Sequence, residues 1–407
     1  MAGVKATSVA LVIVAQVLAL SLWFSGTAAG PGMMREAATA AGPGFQALLS
    51  SAVQGGFVIG SLASAVLGLA DRHDPRRVFA GAALLGAAAN AALLLLPIGA
   101  GDIAARFVTG AALAGIYPVG MKLVVGWADR DDAGLLVGLL VGGLTVGSAL
   151  PHLVNALGGL DWRITLAGSS VAAVAAGGLV GLVRLGPRHA PAPPFSAAAG
   201  LNLWRDRGMR LVTLGYLGHM WELYAMWAWV GFYLAASFAA RQGGVLQRQA
   251  AREAAFATFA VIGVGAIGCI VGGLLADRMG RVRLTVGAMA ISATCCLLAG
   301  PAFGLHPGVT IGLCLVWGIA VVADSAQFSA SITELAEAGL TGTMLTVQNC
   351  LGFALTLVAI QLLPALVARL GWGGAFATLA IGPALGCAAM LRLGRSPMAA
   401  QLAGGRG

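Results

Sequence analysis

Four ionisable residues stand deep inside long apolar runs: Arg106, His219, Glu222 and Asp324. A charge at the centre of a membrane helix costs at least about 2.5–3.5 kcal/mol, so such residues mark sites of function or a specific pairing. His219 and Glu222 are three apart and share a face of a helix. Tyr216, Trp221, Tyr224, Trp227 and Trp229 crowd the same stretch. A buried carboxyl group can take up and release a proton. Glu222 is the first candidate for that task and Asp324 the second, with His219 tuning or relaying. Arg106 offers a planar forked donor that matches a carboxylate or similar anion. Gln54 and Asn349, like Gln16 and Gln348, are neutral hydrogen-bonding groups at similar depth. The expected solute- or proton-handling set is therefore Glu222, His219, Arg106, Asp324, Gln54, Tyr224, Trp221 and Asn349.

Each has a structural alternative. Arg106 can pair with Asp102, four residues earlier, and Asp102 can serve as a helix N-terminal acid. Glu222 can pair with His219. The amides can bond neighbouring helices, and the rings can pack or form an interface belt. Lys122 is expected to snorkel to the headgroups, and His152 to be a satisfied interfacial histidine.

The elements that position these residues are membrane helices. Hydrophobic residues make up 59% of 407 and charged residues 10%, too apolar for a soluble surface. Runs of 18–28 apolar residues are long enough to cross a hydrocarbon core of about 30 Å. Twelve spans are expected, near 5–29, 44–70, 78–98, 101–127, 133–157, 161–184, 209–236, 253–275, 284–301, 309–332, 340–365 and 372–392. The first is read as a helix rather than a signal peptide, with Gly30, Pro31 and Gly32 as the turn after it. Gly138, Gly142, Gly143 and Gly147 give the fifth span a flat face for close packing. The six Cys show no disulfide or metal spacing and are read as small core residues. No metal or cofactor is expected.

Two charged loops repeat across the chain. Residues 69–77 read LADRHDPRR and residues 275–283 read LADRMGRVR, with Asp71 and Asp277 206 positions apart. Trp162 and Trp372 repeat at 210. Two parallel six-span halves point to a secondary transporter with its site between them. The division is 1–184, a linker 185–208 rich in Pro and Arg, and 209–407. With the N-terminus in the cytoplasm, 17 Lys and Arg fall on the cytoplasmic side and six on the other. Both termini are thus expected in the cytoplasm of a bacterial inner (plasma) membrane. The net charge of +9 is read as basic loops facing the inner leaflet rather than nucleic-acid binding.

The loop at Gly273, Leu275, Ala276, Asp277, Arg278, Gly280 and Arg281 resembles the G-x-L-A-D-R-x-G-R motif of the major facilitator superfamily. The first copy departs from it at Leu67, Asp74 and Pro75. The resemblance covers nearly the whole chain. It implies an all-α membrane fold of two six-helix bundles, and for Asp71, Arg72, Asp277 and Arg278 a role in biasing the conformational equilibrium. Arg106, Gly110 and Gly115 look like the family's R-x-x-x-G pattern, common among proton-coupled members. Residues 116–127 are weakly similar to the cyanate and nitrate anion-porter branch, although the second span lacks the arginine of nitrate porters.

The function expected is proton-coupled transport of a small polar solute, a small anion first, by a monomer in the lipid bilayer. The alternative is proton-coupled export of drugs or lipophilic cationic metabolites, held by Glu222 and Asp324 among rings. A membrane sensor or enzyme is disfavoured, since no catalytic cluster, Walker-type loop or soluble domain is visible.

Overall fold

The computed structural model describes residues 2–37, 44–129, 132–189, 193–241, 247–337 and 339–407, and it is wholly helical among them apart from turns. Twelve passes are present: α1 (Ala2–Ala37), α2 (Phe45–Leu67), α3 (Pro75–Ala92), α4 (Ala100–Val125), α5 (Ala133–Leu157) and α6 (Trp162–Val180), followed by α7 (Arg207–Arg241), α8 (Gln247–Ala276), α9 (Arg281–Ala302), α10 (Pro307–Leu335), α11 (341–370) and α12 (372–394). Gly371, at φ 68°, separates the last two.

The passes differ from expectation at the ends. Residues 30–32 form no turn. The helix α1 runs on through Pro31 to Ala37. Tertiary contacts override the local breakers. A methyl group on Gly30 would fall 1.7 Å from Gln46 Oε1, and Gly32 lies against Trp162. Glu36, in the last turn, accepts from Arg163 (2.6 and 2.8 Å) and from Trp162 Nε1 (3.0 Å) on α6. The two charged loops also differ. Gly68 adopts the left-handed conformation, which favours glycine, and sets Asp71 in a separate turn, Leu69–Arg72. At the corresponding place the second copy has Leu274, and its helix continues to Met279 before Gly280 (φ 90°) stops it. The side chain of Asp277 lies outside the described residues. Asp71 bonds Lys122, which does not snorkel but spans from α4 to this turn and also donates to Ala70 O (2.8 Å).

The helices pack as two groups, α1–α6 and α7–α12, joined chiefly where α2 meets α11 and α5 meets α8. Glycine spacing makes both kinds of contact. Gly56 and Gly110 seat α2 on α4, with a methyl on either falling 1.9–2.0 Å from the facing backbone carbonyl. On α5, Gly138 and Gly142 face Cys269 and Ala266 of α8, while Gly143 and Gly147 face α1. The face carrying the 69–77 loop, the linker and the C-terminal tail is called the linker face. Toward the opposite face three hydrogen bonds among the described residues join the groups: Gln361 to Ser51 (2.6 Å), Arg252 to Ala156 O (3.2 Å) and Arg248 to Gly159 O (3.4 Å). The two arginines thus cap the end of α5, where carbonyls have no helical partner.

Candidate functional site

The helices α4 and α10 are both interrupted near mid-depth. The first breaks at Ala114–Ile116, just before Pro118, and the second at Asp324. Proline removes a backbone donor and explains the first. Ala114 and Asp324 are 210 apart, the offset of Trp162 and Trp372.

At the α10 break Asp324 meets His219 of α7. Its Oδ1 lies 2.9 Å from His219 Nδ1, and His219 Nε2 is 3.0 Å from Ser325 Oγ. Both are buried, at 3% and 1% exposure. The ring of His219 stacks with Tyr216 and tilts against Phe328.

Glu222 does not share this site. One turn from His219, it points into the last six helices and away from the first six. Its Oε1 accepts from Ser292 Oγ (2.6 Å) and Cys296 Sγ (3.0 Å) on α9 and from Trp317 Nε1 (2.5 Å) on α10. The shared face of positions 219 and 222 therefore splits between two neighbours. Trp221 faces α12, donating to Thr378 O at 3.4 Å.

Arg106 is fully buried and, among the described residues, pairs with no acid. Nη1 donates to Leu22 O (2.9 Å), Ser25 Oγ (2.9 Å) and Asn90 Oδ1 (3.0 Å), and Nη2 to Trp23 O (2.5 Å). Nε lacks an acceptor and is closed off by the backbone of Gly26. Asp102 instead accepts from Gly99 N (2.9 Å) at the start of α4. His152, expected to be satisfied, leaves Nε2 without a partner.

Arg106 and Glu222 join the same three helices of their groups, from different ones. One ties the fourth helix to the first and third; the other ties the first to the third and fourth. Asn90 and Cys296 are 206 apart, the offset of the charged loops. That repeat could have flagged Asn90; Ser25, Ser292 and Trp317 face Gly231, Gly86 and Ala111 at the same offset, carry no charge and drew no notice in the sequence.

The centre between the groups is aromatic. Trp23 stacks with Tyr224 (5.7 Å) and meets Phe353 (5.5 Å); Phe57 meets Phe353 (4.5 Å) and Phe24 meets Trp227 (5.7 Å). Gln54 accepts from Trp23 Nε1 (3.3 Å), and Asn349 from Tyr216 OH (3.2 Å). Of the expected set, Tyr224, Gln54 and Asn349 line this centre, His219 and Asp324 adjoin it, and Glu222, Arg106 and Trp221 do not. Trp23, Phe353 and Tyr117 join it unannounced.

Tyr117 of α4 sits close enough to Cys269, Tyr216 and Tyr224 to interact electrostatically with each, yet it remains half-buried. Asn349 and Ser325, both bonded inward, are half-buried too. These half-buried groups, Tyr117 on the first six helices and Ser325 and Asn349 on the last six, mark the region between the groups on the linker side of the rings, called here the vestibule. Among the described residues no cluster of His, Cys, Asp and Glu could hold a metal ion.

No curated protein matches the chain. Among solved structures it is similar to a variant of the nucleoside transporter NupG, at 13% identity and a TM-score of 0.71, covering 95% of this chain and 99% of that one. At that identity the likeness shows the fold. The model of the Major Facilitator Superfamily matches residues 11–360. With that match over most of its length and twelve passes in two groups, the chain is an integral membrane transporter, not an enzyme, and belongs to the Major Facilitator Superfamily.

Proposed function

We propose that the protein is a proton-coupled secondary transporter of a small polar solute, a monomer that works by alternating access. The observation that carries this reading is the buried His219–Asp324 pair at the α10 break, beside the half-buried Tyr117, Ser325 and Asn349 of the vestibule. A proton arriving at the pair neutralises Asp324 or charges His219, and either changes the 2.9 Å contact at the break. The break is the natural place for α10 to bend. The two helix groups then rock about the α2–α11 and α5–α8 contacts, and the charged-loop residues Asp71, Arg72, Asp277 and Arg278 bias the balance. We take the linker face as cytoplasmic, with both termini there, in a bacterial inner membrane.

Of the two carboxylates, proton exchange is assigned to Asp324. Glu222 is occupied by three donors inside the last six helices. The preference for an anion rested on the fork of Arg106, and that fork is spent on four neutral acceptors. A lipophilic cation, the second reading, draws support from the central rings, but it would have to take Asp324 from His219.

The test is accumulation in proteoliposomes under an imposed pH gradient. The wild type should concentrate its solute only with the gradient. Asp324→Asn should exchange solute across the membrane without concentrating it. Gradient-driven accumulation that persists in this variant would sink the assignment.

A further inference from the structure

Charged solutes need a countercharge at membrane depth. Arg106, Glu222 and the His219–Asp324 pair each take their partners from within one helix group. The ring-lined centre between the groups is otherwise neutral. Among the described residues two carboxamides have neither atom bonded: Gln16 on α1 and Gln348 on α11, both fully buried. A buried polar group without a partner costs about 1–3 kcal/mol and calls for an explanation.

Their places converge on the vestibule. Gln16 Oε1 lies against Gly120 of α4, where a methyl group would approach to 1.9 Å. Gly120 is three residues from Tyr117 and shares its face. Gln348 precedes Gly352 by one turn on α11, and Gly352 abuts Tyr216. One unbonded amide thus stands on the Tyr117 side and the other on the Tyr216 side. Both lie nearer the linker face than the central rings: Gln16 precedes Trp23 by seven residues and Gln348 precedes Phe353 by five, about 10 and 8 Å of helix rise.

We infer that the vestibule between Tyr117 and Tyr216 binds an uncharged solute with a planar, hydrogen-bonding ring, whose polar edges are read by Gln16 and Gln348. This deepens the transport reading above and rests on it. Aromatic faces suit a flat ring. A carboxamide presents a donor beside an acceptor, the pairing that a heterocyclic amide edge returns. Ligand sites are mostly apolar with a few placed polar groups, as here.

The experiment is binding to the purified full-length chain, by thermal unfolding and calorimetry. The probes are uracil, benzamide and adenosine as neutral rings, malonate and benzoate as anions, and tetraphenylphosphonium as a cation. A neutral ring should bind and raise the unfolding temperature. Gln16→Leu and Gln348→Leu should each weaken that binding about tenfold, since one amide pairing is lost. Neither should lower the unfolding temperature without ligand, because each removes an unbonded polar group. A purely structural amide would do the reverse, leaving affinity intact and lowering that temperature. The inference is overturned if no neutral ring binds, if the anions or the cation bind instead, or if the leucine variants bind as the wild type does. Proton-driven accumulation is measured separately, so a charged solute that accumulates would refute the solute class and leave the transport reading standing.

Discussion

Arg106→Lys is the sharpest probe of what the buried arginine does. The substitution keeps the charge and removes the fork. In the structure two η nitrogens hold four acceptors, three at Nη1 and one at Nη2. One ammonium nitrogen cannot reach both sets, so at least one charge-assisted bond is lost, worth about 1.5–3 kcal/mol. The charge stays buried with fewer partners and no acid to offset it. Arg106→Gln loses more bonds but also removes the charge and its desolvation cost. The acceptors left behind on α1 are helix carbonyls that keep their own bonds. The lysine variant should therefore be the less stable of the two, by about 2–3 kcal/mol against the wild type. For a cooperative unit of some 200 residues that is a fall of roughly 4–12 °C. A thiol-reactive dye reads it directly, since five of the six cysteines are buried and become reactive on unfolding. If lysine were milder than glutamine in both stability and solute affinity, the charge itself would matter and the brace argument would be wrong.

Further outcomes follow from the same geometry. Glu222→Gln should lower thermal stability, by weakening three bonds on one oxygen, while gradient-driven accumulation continues; loss of coupling without loss of stability would return the proton role to Glu222. Gly110→Ala should separate α2 from α4 and cost several-fold in yield of folded protein, because the added methyl meets the Val53 carbonyl at 2.0 Å; a well-folded variant would refute the close packing. Asp74→Ala should cost about 1 kcal/mol near neutral pH, since Asp74 caps α3 by accepting from Arg76 N (2.9 Å). The Arg76 guanidinium beside Asp74 holds its carboxyl below the usual range. Its charge-dependent share is thus full above the ordinary aspartate pKa and fades as pH falls through the lowered one. Melting curves of wild type and variant that fail to converge in acid would contradict this.

Much of the architecture was legible because apolar runs and repeated loops are one-dimensional signals. All twelve expected spans fall on helices, and the glycines of α5 announce a close contact without saying with which helix. Two of them turn to α8 and two to α1. The Gly30–Gly32 turn was misread because breakers act locally, whereas Glu36, Arg163 and Trp162 act across 126 and 127 positions. The ionisable residues were legible by depth alone. Depth does not give direction: His219 and Glu222 share a helix face and still reach different partners. Pairing His219 with Asp324 spans 105 positions, and no spacing rule reports it. Gln16 and Gln348 were visible as polar groups, but their lack of partners is a property of the packed structure.

The arginines that cap α5 have a consequence for acid conditions. Arg248 and Arg252 hold backbone carbonyls rather than carboxylates. Neither a guanidinium nor a carbonyl titrates in the physiological range. Acidifying that side of the membrane therefore leaves the closure in place, where an aspartate latch would weaken. In the mechanism proposed above a proton must reach the central pair to act, and these two contacts at the rim do not respond to it.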